Sequence, residues 1–267
     1  MKSGAARMPA VFIGHGSPMN TLAHNRYTEA WSKLGRDVPR PAAILAVSAH
    51  WYIRGTAVTA MQAPPTIHDF GGFPQALFDF EYPAPGSPAL AQRVRELLAP
   101  LAVQADDSWG LDHGTWSVLA HVYPQADIPV VQLSMDAMQP PAFHYDLGKR
   151  LAALRDEGVL IVGSGNVVHN LGVIKRGDDA PAFDWAARFS DVVREHVKKH
   201  EHQPLVDYPK LGGDARLSIP TPEHYLPLLY ILGLQDAREP ATFAADGIQN
   251  ASIGMLSVMV GHVRSEG

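Results

Sequence analysis

The chain has 267 residues, 46% of them hydrophobic, enough for one large domain with a sizeable core. Its net charge of −5, without any Lys/Arg-rich run, argues against a nucleic-acid surface, and no apolar stretch approaches the roughly 20 residues of a membrane span. There is no cysteine, so disulfides, thiolate metal sites and thiol nucleophiles are excluded, and any metal must be held by His, Asp or Glu, with 13 histidines available.

Residues 1–9 are too short and polar for a signal peptide, and the expected location is the cytoplasm. The first predicted strand, residues 10–13, runs into Gly14-His15-Gly16-Ser17-Pro18. The glycines flanking His15 let the backbone turn sharply and approach a bound group closely. Pro18 keeps Ser17 out of the helical region. A helical pattern at 26–34 leads to a second strand at 43–47, which His50 follows in Ser48-Ala49-His50-Trp51. A third strand is expected at 56–61.

Residues 62–85 carry five prolines and an aromatic run, and read as a binding loop or lid. Within it, His68, Asp69 and Phe70 are candidates for contact with a polar aromatic substrate. The helix predicted over 87–98 has a Ser87 N-cap followed by Pro88. Asp112-His113-Gly114-Thr115-Trp116 precedes the helical pattern at 116–122, a placement suited to an acid or base beside a site, or to a helix cap.

Strands at 130–133 and 159–162 bracket a helical pattern at 143–157. The latter strand runs into Gly163-Ser164-Gly165-Asn166-Val167-Val168-His169, where small residues again leave room for something other than side chains. A helix over 182–198 ends at Lys199-His200-Glu201-His202, read as a solvated helix end rather than metal chemistry. Residues 201–222 read as a second long loop delivering His224, which opens a helical pattern at 223–232. The last predicted strand spans 254–260.

Strands alternating with helices imply an α/β fold with a mainly parallel central sheet flanked by helices, expected as a single catalytic domain over 1–267. Ligands of such sheets collect at the carboxyl ends of the strands, so His15, His50, His169 and His224 can meet there around a divalent ion. Competing motifs fail on spacing. Position 168 is Val, which breaks G-x-G-x-x-G, and neither G-x-S-x-G, Walker A nor H-E-x-x-H occurs.

Taken in order, Gly14-His15-Gly16-Ser17-Pro18, Ser48-Ala49-His50-Trp51, Asp112-His113-Gly114-Thr115-Trp116, Gly163-Ser164-Gly165-Asn166-Val167-Val168-His169-Asn170 and Pro222-Glu223-His224-Tyr225-Leu226-Pro227-Leu228 closely resemble the class III extradiol ring-cleavage dioxygenases. The nearest branch is the 4,5-DOPA extradiol dioxygenases, and the likeness covers nearly the whole chain. The resemblance implies one divalent metal ion on His15, His50 and His224, with His169 either a fourth ligand or a base. Zinc is the ion described as bound in this branch, and iron(II) the ion of ring cleavage in the wider class. His224 stands where many members carry a carboxylate ligand, with Glu223 the adjacent acidic alternative.

The implied reaction opens the ring of DOPA or a related catechol with O2 to a semialdehyde acid. A base must take a catechol proton, with His169 the first candidate and His113 the second. Two other function classes fit the same histidines: a zinc-dependent hydrolase, and a non-enzymatic metal-binding interaction protein of related fold, of the Memo type. Nucleic acid and membrane are not expected among its partners.

Overall fold

The computed structural model describes residues 7–177 and 180–262. Most of the segment considered as a leader, residues 1–6, lies outside the described residues. Ten strands form: β1 (Ala10–Gly14), β2 (Ala43–Ile53), β3 (Thr56–Thr59), β4 (Val103–Asp106), β5 (Val130–Asp136), β6 (Val159–Gly165), β7 (Ala241–Ala245), β8 (Ile248–Gln249), β9 (Ile253–Gly254) and β10 (Ser257–Val260). Eight of them make one sheet in the order β4-β3-β5-β2-β6-β1-β10-β7, and β8 pairs β9 separately. The centre, β5-β2-β6-β1, is parallel throughout, and the antiparallel pairings lie toward the edges. The expected α/β fold with a mainly parallel sheet is what forms.

The apolar runs are continuous because both sheet faces are covered. Phe12, Leu45, Val47 and Ile161 face one core, while Val11, Ile13, Ile44, Ala46, Leu160 and Val162 face the other. Full burial of each such side chain contributes about 1.5–3 kcal/mol. Helix Leu226–Gly233 is buried along its whole length, so its residues are apolar on every side. By contrast, helix Asp184–Lys198 buries only the stripe Ala186, Phe189, Ser190, Val193 and Val197 and presents charge elsewhere. Ser87 caps helix Pro88–Leu98 as its sequence suggests, accepting from Leu90 N–H at 3.2 Å. None of the described helices is long and apolar enough to cross a membrane.

Several boundaries differ from the sequence pattern. Strand β2 continues past Val47 through His50 to Ile53, with its register against β5 shifting between Val47 and Tyr52. The predicted helix 143–157 is two helices, Pro141–Arg150 and Ala153–Asp156. Residues 201–222 hold the short helices His202–Val206 and Gly213–Ser218 rather than an open loop, since Leu205, Val206 and Ala215 are buried. Strands β4 and β7 lack a strong sequence signal because each is short and only partly buried. The 254–260 run is broken into β9 and β10.

Candidate metal centre

β1, β6 and β2 are adjacent in the sheet, so their carboxyl ends open on one another, and His15, His50 and His169 come from there. His15 directly follows β1, and its amide N–H donates to Gly165 O at 3.0 Å, stitching it to the end of β6. Gly16 adopts φ +65°, the left-handed turn for which glycine is favoured. His50 lies within β2 where the ladder with β5 is interrupted, an irregularity that re-aims side chains. His224 sits in the turn before helix Leu226–Gly233, and its carbonyl accepts from Asn166 N–H at 2.8 Å. A Cβ on Gly165 would lie 2.1 Å from that same carbonyl, so only glycine lets the His224 turn dock on the strand end. His169 is held through its backbone, its N–H donating to Ser218 O at 2.8 Å.

A fifth histidine joins them. Asp112 caps helix His113–Val122 by accepting from Thr115 N–H, leaving His113 as its first residue. The ligand nitrogens of His15, His50 and His113 all lie within 4.8 Å of one another, and the same holds for the ligand atoms of His169, Glu223 and His224. The ring centroids of His15, His50 and His224 form a nearly equilateral triangle, with sides of 5.2, 5.3 and 5.1 Å. Imidazoles bound tetrahedrally to one ion with metal–nitrogen distances of about 2.1 Å place their ring centroids about 5 Å apart. His113 approaches His50 to 3.8 Å, and His169 stacks on His224 at 3.5 Å with planes 8° apart.

Hydrogen bonds fix three of the five rings in the same sense, and a carboxylate lies beside Nδ1 of a fourth. Ser164 Oγ donates its one proton to Gly114 O at 2.5 Å, so at 3.0 Å it can only accept from His15 Nδ1–H. Asp69, an acceptor when ionised, takes His113 Nδ1–H at 2.9 Å on one oxygen, and its other oxygen lies 3.3 Å from His50 Nδ1. Glu223 accepts from His224 Nδ1 at 3.3 Å and from Thr221 Oγ1 at 2.7 Å. In the three hydrogen-bonded rings Nε2 is left with its lone pair, the tautomer a metal ligand requires, and the Asp69 carboxylate beside Nδ1 favours the same tautomer in His50. Among the described residues no hydrogen bond holds the ring of His169.

Burial keeps the rings of His15, His50, His169 and His224 neutral. It pushes His15 and His224 well below the ordinary imidazole value, with neighbouring histidines adding to the effect. Burial, with His113 nearby, holds His50 at about 3 although Asp69 opposes the shift, and burial holds His169 at about 4. Asp69 is drawn below the carboxylate range by its contacts with His113 and His50, which outweigh its burial. Burial, with the Asp69 charge behind it, pushes Asp112 up to about 6. Uncharged nitrogen lone pairs converging beside the carboxylates of Asp69 and Glu223 suit a divalent cation, so the residues fit the metal that the sequence suggests.

Beside the rings lies a cavity of about 580 Å3 whose walls include all five histidines together with Phe70, Phe73, Pro18, Leu171, Ile174, Ile253 and Arg176. Of the three loop residues considered for substrate contact, Phe70 lines this cavity. His68 and Asp69 are placed elsewhere: His68 Nε2 bonds Phe80 O at 2.9 Å and its ring packs on Trp116, while Asp69 lies behind His50 and His113. The cluster at 199–202 stays apart from the site; His202 bonds Tyr145 Oη and Gln235, and His200 contacts Gln235. Arg176 and the positioning role of Asp69 were missed by the sequence reading, since neither lies beside the histidine signals they serve.

Residues 9–261 match the family model described as the catalytic LigB subunit of aromatic ring-opening dioxygenase. The chain is 58% identical over 261 residues to a 4,5-DOPA dioxygenase extradiol of Escherichia coli (strain K12), covering 96% of each chain. It is 39% identical over 228 residues to the protein of the same name from Beta vulgaris, covering 83% of this chain and 85% of that one. A crystal structure of an uncharacterised protein from Escherichia coli K12 superposes with a TM-score of 0.85 at 52% identity, over 96% of this chain and all of that one.

Proposed function

The chain belongs to the family of the catalytic LigB subunit of aromatic ring-opening dioxygenases, and from that premise we propose that it opens the ring of DOPA or a related catechol with O2, giving a semialdehyde acid of the seco-DOPA type. Membership makes it an extradiol dioxygenase, acting with O2 on a small molecule, and implies a metal. We assign that metal to His15, His50 and His224. His169 is the base, and His113 the alternative for either role.

The observation that carries this assignment is the division among the five rings. Four have Nδ1 beside an acceptor, three of them hydrogen-bonded to it, and so present Nε2, and of these four the three with evenly spaced centroids suit ligation of one ion. The fifth, His169, is neutral at pH 7, lines the cavity and has a ring not tethered by hydrogen bonds among the described residues. It is therefore free to accept a catechol proton at either nitrogen and return it. A bound divalent ion would acidify the catechol hydroxyls, and iron(II), unlike zinc, would also supply the redox chemistry that O2 requires.

The protein does the rest. Phe70 and Phe73 meet edge to face at 5.4 Å and form an aromatic wall against which a catechol ring packs. Apolar neighbours Leu171, Ile174 and Ile253 limit water around the diol. Asp69 holds His50 and His113 in place while the proton moves.

The test is anaerobic loading with iron(II), followed by DOPA and air. The expected result is oxygen uptake together with a yellow product, and neither from the zinc-loaded protein. Confirmed iron occupancy without uptake or product would refute the proposal.

A further inference from the structure

We propose that Arg176 reads a carboxylate on the substrate's side chain, so that the enzyme selects catechols bearing an acid and ignores an amine; this rests on the catechol dioxygenase reading above. Among the described residues Arg176 is the only Lys or Arg in the cavity wall, and no Asp or Glu lines it. The guanidinium is exposed and makes no ion pair among the described residues, whereas Arg93, Arg155, Arg188 and Arg194 each face a carboxylate. It is thus the one cation among the described residues of a wall to which they contribute no carboxylate.

Its backbone is pinned at that place. Lys175 N–H donates to Asn250 O at 3.0 Å, and Gly177 N–H donates to Asn250 Oδ1 at 3.0 Å, so Asn250 grips the chain on both sides of Arg176. Asn250 adopts φ +50°, a conformation that asparagine tolerates better than most residues. The neighbouring cation is turned to another task, with Lys175 Nζ 4.4 Å from the centre of the Phe183 ring. Because Gly177 N–H fixes Oδ1 as the acceptor, Asn250 Nδ2, also in the cavity wall, has no partner among the described residues and is a second donor for the same carboxylate.

The histidine cluster takes the diol at one end of the cavity, and Arg176 with Asn250 offers donors to an anion elsewhere on its wall. A guanidinium fork matches a carboxylate in two parallel hydrogen bonds. An ammonium finds no carboxylate partner among the described residues of that wall.

The experiment compares 3-(3,4-dihydroxyphenyl)propionate, 4-ethylcatechol and dopamine with the iron(II) protein, by oxygen-uptake KM and kcat and by anaerobic binding titration. The wild type is expected to favour the acid by about 10- to 100-fold in KM and in binding, the range expected of a charge-assisted pair. In Arg176→Gln that preference disappears, while 4-ethylcatechol keeps its kcat and KM within about 2-fold. Asn250→Gly, which preserves the positive-φ backbone, reduces the preference in part. An unchanged preference in Arg176→Gln, or equal loss on all three catechols, would overturn the inference. Wild-type protein that binds the acid preferentially but consumes no oxygen would refute the dioxygenase reading and leave Arg176 upheld.

Discussion

Asp69 holds His113 twice through one oxygen: Oδ1 lies 2.9 Å from the His113 backbone N–H and 2.9 Å from its Nδ1, while the other oxygen reaches His50. One carboxylate from the Pro-rich segment thereby orients two histidines from different elements. Asp69→Asn keeps an acceptor for His113 but turns an NH2 toward His50 Nδ1–H. Metal affinity is expected to fall about 10- to 100-fold with the fold intact, read by chelator competition and circular dichroism. Undiminished affinity would show that His50 does not depend on Asp69 for its orientation.

His169→Ala separates base from ligand. The variant is expected to hold one metal ion per chain while turnover drops by at least about 100-fold. Metal analysis beside oxygen uptake reads both quantities at once, and loss of the ion would make His169 a ligand.

Arg155 and Glu239 form a buried pair, with Arg155 Nη1 and Nη2 each 2.7 Å from a carboxylate oxygen and further bonds to Met8 O and Leu234 O. The pair ties the approach to β1, the end of helix Leu226–Gly233 and the entry to β7 into one cluster. Glu239→Gln leaves the guanidinium charge uncompensated and is expected to cost about 3–5 kcal/mol of stability. Arg155→Met combined with Glu239→Leu should recover most of that. Urea midpoints of the two variants make the comparison, and a small loss in the single variant would mean that the backbone carbonyls suffice.

His144 is fully buried against Tyr230 Oη, 3.1 Å away, and burial holds it at about 4. Unfolded, it titrates near 6.5. Between those values the unfolded chain binds more protons, so the stability from this site is complete above about 6.5 and falls as pH drops toward 4, by at most about 3 kcal/mol. His144→Gln in the metal-loaded protein should flatten the acid limb of a urea-midpoint profile. An unchanged limb would assign acid sensitivity to other groups.

Much of the site was legible because strand ends announce themselves: Gly14-His15-Gly16 and the run from Gly163 to His169 place small residues and a histidine after an apolar strand. His50 was located, though the strand's continuation through it was not, since a register shift depends on the partner β5 rather than on β2 itself. The role of Asp69 depends on two rings brought to it by tertiary structure. Arg176 carries no local signal at all, being one exposed arginine in a polar segment until Asn250 fixes it beside the cavity. Residues 201–222 looked like a loop because their helices are a turn or so long, and their stability comes from burying Leu205, Val206 and Ala215 rather than from periodicity.

The most direct measurement is a crystal structure of the iron(II)- or zinc-loaded protein with anomalous data at the metal edge. One ion is expected within the His15, His50 and His224 triangle, bound through the Nε2 atoms at about 2.1 Å, with His169 outside bonding distance. An ion held by His15, His50 and His113 instead, or one bonded to His169, would contradict the account.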